Sequence, residues 1–148
     1  MDSPSVNFIQ DTIVACYYGS CDKLEDGAWV KMADTRKERF AQTNEAIGDM
    51  MVLIGGTGNS GSTTELVTVN GESVKGFRLN PGRSEHCSVK VSPDTLLILG
   101  GKRTWSLVSE YSGIGGNVTS RELPSLRKGR RSHACGQYMA GETQVMQW

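Results

Sequence analysis

The sequence predicts an all-β protein made of repeated units of short strands. Glycine accounts for 18 of the 148 residues, about 12% against a usual value of ~7%. These glycines stand singly or in pairs between short apolar runs, a pattern typical of short strands joined by tight turns. The segment 35–46, TRKERFAQTNEA, is charged enough to look helical, but the repeat described next takes precedence over that interpretation.

Two similar runs that end in paired glycines define the repeat. DMMVLIGG occupies residues 49–56 and DTLLILGG occupies residues 94–101, an offset of 45 residues. The run that begins at Asp11, DTIVACYYG, fits the same frame with tyrosines in place of the glycines. Because the first two runs are apolar at consecutive positions, their strands are predicted to be buried on both faces.

Other columns of the self-alignment keep the same phase. An arginine stands three residues before a Gln or His ahead of each later run, at Arg39, Arg83 and Arg130, with spacings of 44 and 47 residues. A turn glycine closes the third strand of successive units, as in VTVNG and SEYSG. A period of about 40–50 residues with four short strands per unit is typical of a β-propeller blade.

The period divides a single domain into four pieces. They are a partial blade at 1–36, blades at 37–80 and 81–127, and a partial blade at 128–148. About thirteen strands are expected, three of them in the first piece. Since closed propellers have about 4–8 blades, the sequence predicts an incomplete ring whose open blade edges favour self-association.

The aligned columns resemble the kelch repeat, which has a diglycine after the second strand, then a Tyr, a Trp that opens the fourth strand, and an Arg before the next blade. The matching residues are Gly55, Gly56, Gly100, Gly101, Tyr111, Trp29, Arg39 and Arg130. Val69 and Ser120 depart from the pattern, at or near positions where Tyr and Trp are usual. The resemblance implies a kelch-type propeller whose loops on one face bind partner proteins.

Candidate partner-binding residues follow from this resemblance and from residue chemistry. They are Arg83, Arg130, Lys102, Arg103 and Trp105. On a propeller they are expected on one rim, where Arg binds carboxylates bidentately and Trp is a frequent hot spot, which favours an acidic, extended peptide. The alternative is that the arginine column bridges adjacent blades and contacts no ligand.

No catalytic residue, metal site or cofactor is predicted. His86-Cys87 and His133-x-Cys135 lie 47 residues apart, without the tight pairing of zinc ligands, and are interpreted as core-facing or hydrogen-bonded residues. The predicted function is therefore non-catalytic protein binding. The alternatives are a fragment of a copper-dependent, galactose-oxidase-like propeller enzyme and a truncated chain without independent function.

The charge and hydropathy of the sequence argue against nucleic acid and membrane as partners. Sixteen basic and sixteen acidic residues give no global field for nucleic acid, and no run approaches the ~20 apolar residues that span a membrane. Cys16 and Cys21 face each other across a predicted hairpin, where a disulfide and two free thiols both remain open. With the sequon at 117–119, this favours an extracellular over a cytoplasmic location, although the N-terminus does not resemble a signal peptide.

Overall fold

The computed structural model describes residues 5–139 and 143–147, with side chains described from residue 5 to residue 136. The chain divides into two compact units, Met1–Ser84 and Glu85–Trp148. The described residues form β-strands and one short 3-10 helix, Gly58–Ser60. Among them, no helix is long and apolar enough to cross a membrane.

The first unit contains two four-stranded antiparallel sheets, blades A and B. Blade A consists of β1 (Ser5–Ile9), β2 (Thr12–Tyr17), β3 (Ser20–Glu25) and β4 (Ala28–Asp34), hydrogen-bonded in chain order. Blade B consists of β5 (Thr43–Ile47), β6 (Met50–Ile54), β7 (Thr63–Thr68) and β8 (Ser73–Arg78), also in chain order. Each blade is a meander of hairpins, the simplest connection between antiparallel strands.

The second unit contains blade C and one further hairpin. Blade C consists of β9 (Cys87–Ser92), β10 (Thr95–Leu99), β11 (Val108–Ser112) and β12 (Thr119–Leu123). The hairpin pairs β13 (Cys135–Met139) with β14 (Thr143–Gln147). All-β architecture with separate four-stranded antiparallel sheets is therefore confirmed.

The first blade is more complete than the sequence predicts. The expected three strands are four, because Ser5–Ile9 pairs with β2 in register from Ser5 opposite Cys16 to Ile9 opposite Thr12. The strand was missed because it carries none of the columns that define the repeat. Its Val6 and Phe8 are each 57% exposed, and self-association through such open surfaces stays a prediction.

The second strands of blades B and C are buried, as their consecutive apolar residues predict. Met51 to Ile54 are all fully buried, and Leu96 to Leu99 are at most 8% exposed. In the first unit, side chains of both blades share one cluster, in which Ile9 and Val14 of blade A join Met51 and Leu53 of blade B. Each diglycine follows directly from one of these buried strands, so its position is fixed by the core.

A left-handed residue recurs two positions after each arginine of the column. Ala41, Glu85 and Ser132 have φ angles of 52°, 53° and 49°. Non-glycine residues adopt this conformation rarely. The repeat therefore includes a backbone kink that precedes the first strand of the next blade or hairpin.

Candidate functional site

The diglycines begin loops with the same backbone frame in blades B and C. The N–H of Gly56 donates to the carbonyl of Arg83 at 2.8 Å, and the N–H of Gly101 donates to that of Arg130 at 2.9 Å. Both donors have positive φ, 123° and 109°. In each unit the backbone carbonyl of an arginine, Arg83 or Arg130, therefore holds the loop, and this contact does not depend on the arginine side chain.

Gly100 shows why glycine is needed in this frame. Its φ is +65°, and a Cβ atom would lie 2.5 Å from the carbonyl oxygen of Arg130 and 3.0 Å from that of Trp105. Atoms at that distance overlap, so a side chain would separate the loop from the neighbouring segment. The diglycine therefore has a structural role in this loop.

Arg39 is buried beneath the diglycine loop of blade B. Its Nη1 donates to the carbonyls of Gly55 at 2.7 Å and Thr63 at 3.0 Å, and its Nη2 lies 3.5 Å from Glu65 Oε2. Burial lowers the pKa of Arg39, and the carboxylate of Glu65 opposes that shift. The guanidinium of Arg39 therefore ties the loop to β7.

Arg83 and Arg130 occupy the same column but differ in exposure. Arg83 is 1% exposed, whereas Arg130 is exposed. A partner cannot reach a side chain that is this deeply buried, so Arg83 does not fit the predicted role of a partner contact. The alternative weighed for the column, a structural role, suits Arg83, and only Arg130 is open to a ligand.

The other predicted repeat residues also differ in environment. Tyr111, in β11, is 3% exposed and part of the interior of blade C. Trp29 opens β4 as the second residue of that strand, but its side chain is 52% exposed. Only the tyrosine therefore serves as a core residue.

Two segments of the second unit lie side by side and form a surface that we call the basic loop pair, residues 101–107 and 126–131. Arg130 N donates to Trp105 O at 2.7 Å, and Leu126 N donates to Ser106 O at 2.8 Å. Gly129 lies so close to Trp105 that an added Cβ would be 2.6 Å from the Cβ of Trp105. The backbone of both segments is therefore fixed in place.

The basic loop pair is cationic and contains an exposed aromatic ring. Its six basic residues are Lys102, Arg103, Arg127, Lys128, Arg130 and Arg131, and neither segment contains an acidic residue. Among described side chains, only Arg131 of this set has an ion pair, at 3.9 Å from Glu85. The Arg131 guanidinium also lies 5.2 Å from the ring centroid of Trp105, which is 48% exposed.

The structure thus brings Lys102, Arg103, Trp105 and Arg130 onto one surface. It adds Arg127, Lys128 and Arg131, which sequence reasoning missed although the run RKGRR at 127–131 was a signal. A cavity of about 350 Å³ lies among Leu126, Arg127, Lys128 and Arg130. His133 follows this segment, and its pKa is lowered by burial and by the positive charge of Arg130.

All four cysteines form disulfides. Cys16 and Cys21 are joined across the β2–β3 hairpin, which is one of the two alternatives left open by the sequence. Cys87 of β9 is joined to Cys135 of β13, a pairing that sequence reasoning did not propose. The sequence signal for this pairing was that Cys87 and Cys135 each begin the first strand of successive repeats. Among described residues, no group of three or more His, Cys, Asp and Glu side chains is placed to hold a metal.

Comparisons with known proteins bear on the fold alone. No protein-family profile matches the sequence, and no curated protein is similar to it. Solved structures do match: the structure of YjhT, a kelch-type propeller, has a TM-score of 0.74 at 11% sequence identity. The match covers 90% of this chain and 55% of YjhT, so the chain spans about half the length of that neighbour. Together with the three four-stranded sheets, this defines an incomplete propeller of blades.

Proposed function

We propose that this chain is a kelch-type, non-catalytic protein-interaction module that binds an acidic, extended peptide through the basic loop pair. The observation that carries the proposal is the set of six cations on two adjoining segments that contain no carboxylate. The chain as a whole has no net charge, so its attraction for anions is local to this surface. The kelch resemblance supports partner binding by loops of this kind.

The small extent of the basic loop pair favours a peptide over a long polymer of phosphates. Four of its cations are arginines, which bind carboxylates, as they bind phosphates, through two parallel hydrogen bonds. Trp105 offers an exposed ring beside Arg131, and Trp and Arg are the residues enriched at protein-binding hot spots. The cations are confined to two short segments, which suits a short acidic stretch of a partner.

Two disulfides in a chain of this size support an oxidising compartment. We therefore propose that the partner is extracellular or lies within the secretory route. The sequon at 117–119 is consistent with that location, because Asn117 is exposed between β11 and β12.

Fluorescence anisotropy with a labelled Asp/Glu-rich peptide tests the proposed function. Lys102→Glu with Arg103→Glu should weaken binding by at least ~10-fold, since two attractive charges become repulsive. Lys31→Glu with Lys90→Glu makes the same change in net charge on exposed strand positions elsewhere and should leave affinity nearly unchanged. Equal weakening in both double variants would show that only net charge matters and would refute the site.

Two further measurements address the alternatives. Tighter binding of single-stranded DNA than of the acidic peptide, at the same salt concentration, would contradict a peptide partner. Bound copper in purified protein, measured by elemental analysis, would favour the oxidoreductase alternative.

A further inference from the structure

The first unit contains a second cationic surface, unrelated to the basic loop pair. A cavity of about 460 Å³ lies on blade B, between the link that precedes β5, the loop that precedes β7, and strand β8. Its charged lining residues are Arg36, Lys37, Arg39, Glu65, Lys75 and Arg78. Volumes of about 300–1,000 Å³ are usual for small-molecule sites, so the cavity has room for an organic ligand.

Four of the cations that line this cavity are available to a ligand. Arg36, Lys37, Lys75 and Arg78 are exposed, and none of them has an ion pair with another described side chain. Lys37 is held over the cavity by a hydrogen bond from its Nζ to the carbonyl of Asn59 at 3.1 Å. Unpaired cations that converge on one hollow create a local field that attracts anions.

The one carboxylate in the cavity lining is already engaged. Glu65 is 1% exposed and accepts hydrogen bonds from the backbone N–H of Arg36 and the hydroxyl of Ser73, in addition to its ion pair with Arg39. Its negative charge is thus offset by Arg39 and by two hydrogen-bond donors of the protein. The lining of the cavity therefore has an excess of positive charge, which comes from the four exposed cations.

A buried donor in the lining lacks a partner. Arg39 is 4% exposed, and its Nε has no hydrogen-bond acceptor in the described part of the protein. Buried polar atoms are nearly always hydrogen-bonded, so an unmet donor in a cavity lining is consistent with an acceptor supplied by a ligand. Thr63 and Ser62 add hydroxyl groups to the same lining.

We infer that this cavity binds a small tetrahedral oxyanion, either free or as the phosphate or sulfate ester of a small organic molecule. Several converging cations match the multiple charges and acceptor oxygens of such a group. The cavity is larger than a single oxyanion needs, and Phe77 gives its lining an aromatic residue for the organic part. This inference is independent of peptide binding by the second unit.

Amide NMR of the whole chain tests the inference with inorganic phosphate as the probe, at constant ionic strength. Phosphate should cause saturable shifts for the amides of residues 75–78 and 36–37. Lys75→Gln with Arg78→Gln should weaken this binding by at least ~10-fold, because two charge-assisted hydrogen bonds are lost. Arg36→Gln serves as a second variant, in the link that precedes β5. Lys102→Gln with Arg103→Gln is the matched control and should leave phosphate binding at these residues unchanged.

Glycerol 3-phosphate and glycerol distinguish the sources of the oxyanion. Tighter binding of the ester than of inorganic phosphate indicates an organic ligand, and equal binding indicates the free ion. Saturable shifts with glycerol alone, or phosphate binding that survives both cavity variants in folded protein, would overturn the inference. Loss of peptide binding without loss of phosphate binding would affect the proposed function only.

Discussion

The diglycine loops of blades B and C have the same backbone frame, but they differ in the charge of their side chains. In both, the second glycine donates to the carbonyl of an arginine that stands before the next first strand. The loop of blade B, TGNSGST, has no charged residue and covers the buried Arg39, whereas the loop of blade C begins KRTW and lies open beside Arg130. The shared backbone frame is therefore set by glycine and backbone hydrogen bonds, whereas the charge of each loop is set by its side chains.

The largest expected effect separates the buried arginine from the exposed one. Arg39→Met should lower the free energy of unfolding by about 3–5 kcal/mol, because it leaves Glu65 charged and buried without its partner. Arg130→Met should change it by less than about 0.5 kcal/mol, as for most exposed side chains. Urea unfolding followed by circular dichroism measures both values. Similar losses in the two variants would remove the distinction between the loops.

The disulfides provide the next contrast, one in each unit. Cys87 and Cys135 are 48 residues apart, whereas Cys16 and Cys21 are 5 apart. By loop-closure entropy, replacing the first pair with serines should cost about 4 kcal/mol and replacing the second about 2 kcal/mol.

Urea unfolding of the two double-serine variants, without reductant, gives these costs. The variant that lacks Cys87 and Cys135 should also show faster amide hydrogen exchange in residues 126–131, since the bridge anchors the strand that follows them. Slower or unchanged exchange there would argue that backbone bonds alone hold the basic loop pair.

Two glycines with nearly equal φ sharpen the comparison further. Gly58 and Gly100 have φ of +64° and +65°, but an added Cβ meets nothing within 4 Å at Gly58 and lies 2.5 Å from Arg130 O at Gly100. Gly58→Ala should cost about 1 kcal/mol for the left-handed conformation alone. Gly100→Ala should cost roughly 3 kcal/mol, because steric overlap is added to it. Thermal unfolding of the two variants tests whether the frame requires glycine for space as well as for conformation.

The smallest expected effect concerns His133. Its folded-state pKa is lowered by burial and by Arg130, so the neutral form is favoured when folded. The associated stability is fully present above the ordinary histidine pKa of about 6.5 and is lost as pH falls through the lowered folded value. Arg130→Gln should raise the pKa of His133 in an NMR titration. Arg103→Gln is the control and should leave the titration of His133 unchanged; a shift of equal size there would indicate a diffuse field.

Sequence periodicity was enough to predict the blades, because diglycines and consecutive apolar residues are local consequences of a strand buried on both faces. It could not predict which arginines are buried. Arg39, Arg83 and Arg130 stand in one column, and their exposure depends on what packs over them, which no spacing expresses. Strand β1 was missed because SVNFI lacks every column residue.

The candidate site was predictable in part. Lys102, Arg103 and Trp105 were found as a group because they are adjacent in sequence. Arg127, Lys128 and Arg131 join them only in the folded chain, through contacts between residues twenty or more positions apart, such as Leu126 N to Ser106 O and Arg131 to the Trp105 ring. The Cys87–Cys135 bridge likewise depends on β9 and β13 lying next to each other, a tertiary fact.

Because a left-handed residue follows each arginine of the column by two positions, the repeats can be aligned by backbone dihedral angle at positions where their residue types differ. Ala41, Glu85 and Ser132 share no chemistry, yet each adopts φ near +50°. An L-residue there costs about 1–2 kcal/mol of conformational energy that glycine avoids. At Glu85 and Ser132 glycine would also remove a side-chain hydrogen bond between the two, and at Glu85 the ion pair with Arg131. Ala41 is the natural first choice, since glycine in its place removes only a methyl group.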